Sequence, residues 1–411
     1  MNSDRIPQLT REESRVVYYN SAVSPTSPGD VTPDTPLSEL YLNWTEKELP
    51  ERQRTKHVHR LHPYLGKYIP QLVEIFLRKY FQPGDTVLDP FAGSGTTLVQ
   101  ANELGIHAVG YDISAFNIIL MKAKTGRYDL SRAEDEIRDI LARTESAHRG
   151  TERQLTLFEP APQPSQETGS TYLREWFAPQ ALDELLTFRA LIKDYTSQDL
   201  LKVILSRAAR SARLVTHFDL DFPRKPQTEP YFCHKHRRIC QPTTSALQFI
   251  RRYSLDTITR IRTFSQLRTD ARVEIHHGNS ANVSVPAFDG VVTSPPYVGL
   301  IDYHEQHRYA YELLELEDRR SEEIGAGAGG TGKKARAAYQ AGIIAVFNNI
   351  CRSMKAGGRF IVVAGDRYDL YGDIAAALDV EVEAVVQRHV NRRTGRRSSE
   401  FYESVFIWRK K

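Results

Sequence analysis

Apolar residues fall into three patterns along this chain, and each pattern predicts a different element. Short, largely apolar runs at 86–88, 108–111 and 288–292 each lead into a turn or an acid. Runs of that length and bounding read as strands buried on both faces, as in a parallel sheet. A second pattern repeats at helical spacing: Leu182, Leu185 and Leu186, then Leu200, Leu201, Ile204 and Leu205. A third helix is expected over 246–267, with Phe249, Ile250, Ile258, Ile261 and Phe264 on one side. Alternation over 382–386 and 401–408 predicts two strands of a hairpin, with a tip at 388–397 that holds five arginines and no acid.

The first strand ends in Asp89 and opens into a turn made of Pro90, Phe91, Ala92, Gly93, Ser94, Gly95, Thr96 and Thr97, after which 96–104 is compatible with a helix. Glycines without a Cβ let backbone approach a ligand, and the N-terminus of the helix faces the same place. The second strand ends in Asp112, at the spacing where an acid meets a ribose hydroxyl in nucleoside-binding α/β folds. The turn has no lysine to neutralise a triphosphate, so it is not a phosphate-binding P-loop. Asp89 would repel a pyrophosphate and attract the cationic methionine portion of S-adenosylmethionine.

The strand at 288–292 runs into Thr293, Ser294, Pro295, Pro296 and Tyr297. Two prolines fix φ and remove two N–H donors, which leaves the Ser294 hydroxyl and the Pro295 carbonyl as acceptors. An exocyclic base amine suits such acceptors, because accepting its N–H groups draws the nitrogen toward a nucleophilic geometry. Tyr297 offers a ring face on which an extruded base stacks.

These segments resemble the amino-methylating DNA methyltransferases, and in particular the cytosine-N4 branch of restriction-modification systems. The turn from Asp89 to Thr97 resembles the cofactor motif of that family, with Asp112 and the neighbouring Ile113 at the ribose acid. His62 and Pro63, in the segment HPYLGKYIPQL with Lys67 and Pro70, resemble the motif that packs around the methionine end. TSPPY resembles the catalytic motif in its serine form. Gly278, Asn279 and Ser280 match the adenine-contacting position, with Asn in place of the usual Asp, and 357–364 resembles a later strand of the sheet. The resemblance implies a Rossmann-like class I methyltransferase fold, α/β, with a mostly parallel seven-stranded sheet, a C-terminal antiparallel hairpin and a large helical insertion. It implies S-adenosyl-L-methionine as cofactor, double-stranded DNA as partner, and a pairing with a separate restriction endonuclease. Adenine-N6 methylation, RNA guanine-N2 methylation and a non-catalytic DNA-binding regulator stay open as alternatives.

The rest of the chain divides on this frame into an N-terminal arm (1–50), the first half of the methyltransferase domain (51–130), a mainly helical insertion (131–272) and the catalytic second half (273–411). Residues 24–36 are rich in Pro, Ser, Thr and Asp and read as linker, and 159–170 is a Pro- and Gln-rich connection. At 411 residues the chain accommodates such a division, but a net charge of +4 is too small for DNA contact through the overall field. Local patches are needed. One is 216–240, where Phe218, Phe222, Tyr231 and Phe232 interleave with Arg224, Lys225, Lys235, Arg237 and Arg238; another is the hairpin tip with Arg392, Arg393, Arg396 and Arg397. Arg251, Arg252, Arg260 and Arg262 on the third helix, and the glycine-rich 325–332 loop read as mobile, are further phosphate-facing or solvated alternatives. Cys233, His234, His236 and Cys240 do not form a familiar ligand spacing, since adjacent Cys233 and His234 rarely share an ion, so no metal is expected. Three cysteines form no disulfide framework and no apolar run approaches membrane-spanning length, which fits a cytoplasmic protein.

Overall fold

The computed structural model describes residues 24–148, 168–217, 219–221, 223–390 and 401–411, and the backbone of Val16 and Val17. Its strands in chain order are β1 (Val16–Val17), β2 (Thr86–Asp89), β3 (His107–Asp112), β4 (Tyr231–Cys233), β5 (Arg238–Cys240), β6 (Val273–His277), β7 (Phe288–Thr293), β8 (Met354–Ala364), β9 (Val380–His389) and β10 (Tyr402–Lys410). Eight of them form one sheet in the order β1-β9-β10-β8-β7-β2-β3-β6, while β4 and β5 pair by themselves. Only β10 runs antiparallel within the large sheet, inserted between β8 and β9. This is the Rossmann-like methyltransferase arrangement expected, with one short addition, β1, which pairs in parallel with β9.

Chain order reverses between β2 and β7, which are neighbours: from β2 the chain proceeds outward to β3 and β6, and from β7 outward the other way to β8. A reversal of this kind opens a crevice at the carboxyl ends of the two strands, because their following loops depart in opposite directions. The pairing Val87↔Gly290 and Leu88↔Val291 brings the ends of β2 and β7 level. Successive residues of each strand supply opposite cores. Val87, Val292 and Ile361 pack under the Pro70–Tyr80 and Thr96–Glu103 helices, whereas Leu88, Val291 and Phe360 pack under Lys333–Cys351. Each such Val, Leu or Ile side chain removed from water contributes about 1.5–3 kcal/mol.

The helices expected within 131–272 are present at Pro179–Leu191, Gln198–Ala212 and Leu247–Ser265, joined by Leu130–His148. Their apolar stripes form a third core that is continuous with Phe116 and Leu120 of the Ala115–Thr125 helix, so this layer grows out of the sheet domain rather than standing apart from it. The reading of the N-terminal segment as a linker needs correction. Val31, Leu40, Leu42, Trp44 and Leu49 are all buried against the β2 side of the sheet. Prolines between them hide the periodicity, yet a chain fixed in extended form by proline can still place isolated apolar residues on a neighbouring core.

Candidate active site

A cleft of about 850 Å³, counting its open mouth, lies at the reversal between β2 and β7. Its floor is the loop after β2. Gly93 and Gly95 there have φ of 51° and 80°, left-handed values that side chains with a Cβ rarely adopt, and a Cβ at Gly95 would approach Met121 Cγ to 2.9 Å. Pro90, Phe91, Ala92, Gly93 and Thr96 line the cleft, as do Asp112 and Ile113 after β3, Gly278, Asn279 and Ser280 after β6, and Ser294 and Pro296 after β7. Four loops from four parallel strands thus converge, as the sequence indicates.

Asp112 is held by three donors: the Gly93 N–H at 2.8 Å, the Ser114 N–H at 2.8 Å and Asn117 Nδ2 at 3.1 Å. Burial pushes its carboxyl upward and these hydrogen bonds pull it back. The Asn279 side-chain Oδ1 accepts from the Ala281 N–H at 3.0 Å and its Nδ2 donates to Glu322 at 3.3 Å, while the Ser280 hydroxyl donates to the Pro90 carbonyl at 2.8 Å. Ser280 therefore ties the β6 loop to the β2 loop.

Asp89 and Thr97 are placed differently from expectation. Neither lines the cleft. Asp89 is 1% exposed and accepts from Thr97 Oγ1 at 2.7 Å, Thr293 Oγ1 at 2.6 Å, the Phe91 N–H at 3.2 Å and Tyr68 OH at 3.2 Å. Burial raises its carboxyl to about 6, against these four hydrogen bonds. With every oxygen occupied by protein, Asp89 is a rivet between the β2 and β7 loops, not a counter-charge for a ligand. Its buried position follows from the strand: Val87, Leu88 and Asp89 all lie inside, so the acid that ends the run is still within the sheet.

His62 and Pro63 also need correction. His62 is fully buried among Phe116, His307 and Tyr309, and burial holds its imidazole well below the usual range; Pro63 is exposed and does not line the cleft. The residues of this segment that reach the cleft are Tyr64, Gly66, Lys67 and Tyr68. Tyr64 stacks on Tyr303 at 5.8 Å and 19°, making an aromatic wall that the sequence motif did not signal. His304 and Glu323 also stand at the cleft, hydrogen-bonded to each other through Nδ1. The Arg319 N–H donates to His304 Nε2 at 3.3 Å, so the proton toward Glu323 is on Nδ1.

Ser294 reaches the cleft; its Oγ is buried and acts on the Tyr297 phenol but makes no well-formed hydrogen bond. Pro295 and Tyr297 stand behind it. The Tyr297 hydroxyl donates to Glu403 on β10 at 2.9 Å, and Glu403 in turn pairs with Arg388 on β9 at 2.6 Å. The Tyr297 ring lies 6.2 Å from that of Phe401. Arg388, counted by sequence among the phosphate-facing arginines, is therefore an internal residue, 5% exposed.

Of the basic candidates, Arg224, Lys225, Arg237 and Arg238 are exposed, while Arg392, Arg393, Arg396 and Arg397 lie outside the described residues. The helix arginines are largely committed to protein: Arg251 pairs with Glu145, Arg260 with Asp256 and Arg262 with Glu134. The 325–332 loop is not free either. Gly299 N–H donates to the Gly325 carbonyl at 2.9 Å and Ala328 N–H to Asp302 at 3.0 Å, which fastens the loop to the segment after Tyr297. Among the described residues no helix is long and apolar enough to cross a membrane.

Residues 2–122 match the DNA methylase family of N6 and N4 methyltransferases. The chain is 35% identical over 430 residues to the type II methyltransferase M.MjaII of Methanocaldococcus jannaschii, covering 87% of this chain and 81% of that one. It is 24% identical over 307 residues to the type II methyltransferase M.BsoBI of Geobacillus stearothermophilus, 67% of this chain and 56% of that one. A crystal structure of an S-adenosylmethionine-dependent methyltransferase from Methanosarcina mazei aligns at a TM-score of 0.32 and 10% identity over 82% of this chain and 96% of that one, which adds nothing to what the strand order establishes. With a glycine cradle, a carboxylate and apolar walls at the sheet reversal, the cleft fits S-adenosylmethionine, and the chain belongs to the S-adenosylmethionine-dependent DNA amino-methyltransferases.

Proposed function

We propose that this protein methylates the exocyclic N4 amine of a cytosine turned out of duplex DNA, at a specific site, as the modification component of a restriction-modification system. The observation that carries this reading is the Ser294 hydroxyl, buried in the cleft without a well-formed hydrogen bond. A buried hydroxyl left unpaired costs about 1–3 kcal/mol, and an incoming amine N–H removes that cost by donating to Oγ. Pro295 supplies a second acceptor through its carbonyl. Accepting both N–H bonds turns the amine lone pair out of the ring plane, so no strong base is needed before transfer. S-adenosylmethionine, when bound, supplies a methyl group carried on a sulfonium sulfur.

The other residues act by position. Asp112, already oriented by Gly93, Ser114 and Asn117, has lone pairs left for ribose hydroxyls, and Phe91 and Ile113 provide apolar surface for a purine ring. Asn279 and Ser280 close the cleft at the purine edge. Tyr297 presents a ring to the target base, and Glu403 fixes its tilt. The serine in TSPPY favours cytosine over adenine because it offers a neutral hydroxyl where the adenine-N6 relatives commonly carry a carboxylate. Arg224, Lys225, Arg237 and Arg238 are assigned to the phosphates.

Digestion of duplex DNA to nucleosides after incubation with enzyme and labelled cofactor tests the choice by mass spectrometry. N4-methylcytosine is the expected product. N6-methyladenine in its place would reassign the base, and label in RNA with none in duplex DNA would remove the DNA reading.

A further inference from the structure

The β4–β5 hairpin lies away from the cleft and contains a group of side chains that the proposed chemistry does not use. His217, Cys233, His236 and Cys240 place one ligand atom each within 4.8 Å of all the others. Cys233 is fully buried and Cys240 is 7% exposed, and both are free thiols. His236 Nδ1 lies 3.6 Å from Cys233 Sγ and 3.5 Å from Cys240 Sγ. One ring nitrogen has a single lone pair or a single proton, so it cannot make a full hydrogen bond to two sulfurs at once. A tetrahedral zinc ion with Zn–S of about 2.3 Å and Zn–N of about 2.05 Å, by contrast, requires an S···N edge of about 3.6 Å on both sides.

We infer that these four residues form a Cys₂His₂ zinc site, in which His217 takes the place that the sequence spacing offered to His234. His234 instead turns outward to a T-shaped contact with Phe232. His217 Nδ1 is 2.8 Å from the Tyr231 hydroxyl, which fixes the ring and leaves Nε2 as the ligand nitrogen. The His217 and His236 rings meet edge to face at 4.7 Å. A turn bond from the His236 N–H to the Cys233 carbonyl at 3.1 Å, and the left-handed Arg237 with φ of 52°, bend the chain so that Cys240 returns beside Cys233. Binding converts the two thiols to thiolates and releases their protons to solvent, with no change of oxidation state.

The fold explains why an ion belongs here. Each strand of the hairpin is three residues long, and a two-stranded ribbon of that size does not hold itself. Phe232 and Ile239, which would form its apolar face, are 52% and 60% exposed. The ion supplies the missing core. It thereby fixes a knuckle that displays Phe232, Lys235, Arg237, Arg238 and Ile239; their use on DNA rests on the proposed activity, whereas the metal site does not.

The test uses the full-length chain, expressed without a metal-binding tag in zinc-supplemented medium. Elemental analysis should find about one zinc per chain, addition of a chelator should make Cys233 and Cys240 reactive toward a thiol reagent without changing the reactivity of the buried Cys351, and cobalt exchange should give sulfur-to-cobalt charge-transfer absorption. Cys233→Ser with Cys240→Ser, and separately His217→Ala, should lose the zinc and open 231–240 to protease while S-adenosylmethionine binding stays within about twofold, which shows that the rest has folded. Cys351→Ser should keep the zinc. Zinc below about a tenth per chain, full zinc in the double variant, or a Cys233–Cys240 disulfide would each overturn the site, and none of them would touch the assignment of the methylated base.

Discussion

The loops after β2 and β7 and the β4–β5 hairpin are all short, yet they are held in opposite ways. The loops are fixed from within. Asp89, Thr97, Thr293 and Tyr68 join them through buried hydrogen bonds beneath the cleft, on strands that are already packed on both faces. The hairpin has no such foundation and gathers four metal-ligating side chains instead. A site that must place reacting atoms is built on rigid strands, and a surface that must reach outward is stiffened locally; the difference lies in how much apolar area each region has available.

The largest effect that would break this contrast is expected at the anchor of Tyr297. Arg388→Ala leaves Glu403 buried and unpaired and should destabilise the chain by about 3–5 kcal/mol in urea unfolding, since side chains of 6% and 10% exposure are desolvated together. A loss below about 1 kcal/mol would show the pair to be solvated and the anchor loose. Next comes Ser294→Ala, for which kcat should fall by about a hundredfold with S-adenosylmethionine affinity unchanged within a few fold. An equal fall in cofactor affinity would place Ser294 in the cofactor half of the cleft.

A smaller effect follows from Asp89. Its folded carboxyl titrates near 6 against about 3.9 in an unfolded chain, so the folded state binds the extra proton between those values. Stability from this group is therefore highest below about pH 4, falls as pH rises to about 6, and is level above; two units correspond to about 2–3 kcal/mol at most. Asp89→Asn should remove this part of the slope when unfolding is compared at pH 4.5, 5.5 and 6.5, and an unchanged slope would move the titration to another group. The smallest effect sharpens the comparison at the surface. Arg251→Ala, which breaks an ion pair with Glu145, should cost under about 1 kcal/mol of stability and leave DNA affinity within twofold. Arg237→Ala should instead weaken binding and lower its salt slope by about one; equal behaviour of the two would remove the knuckle from the DNA surface.

What was legible in sequence was what depends on local chain order. The apolar runs ending in Asp89, Asp112 and Thr293 gave three parallel strands, and their following turns gave the floor and part of the walls of the cleft. Helical spacing gave the 131–272 layer. What was not legible depends on which side of a strand end faces inward. Asp89 closes β2 and Ser294 directly follows β7, the neighbouring strand, but the first is sealed in and the second lines the cleft. His62 and Tyr64 are two positions apart, and only the fold decides that Tyr64 reaches the cleft while His62 enters the helical core. His217 was missed because it lies 16 positions before Cys233, a spacing that carries no local signal, and Val31 and Trp44 were missed because prolines interrupt any period.

The rivet at Asp89 bears on how such an enzyme can be altered. Because one carboxylate receives hydroxyls from both loops, a change that shifts the cradle drags the acceptor positions with it, and the two cannot be optimised one at a time. Variation in the target sequence has to be written elsewhere, on parts of the surface that owe nothing to Asp89. A designer would leave 89–97 and 293–297 untouched, and, on the proposal that Phe232, Lys235, Arg237, Arg238 and Ile239 meet DNA, would vary the outward positions of 231–240 instead.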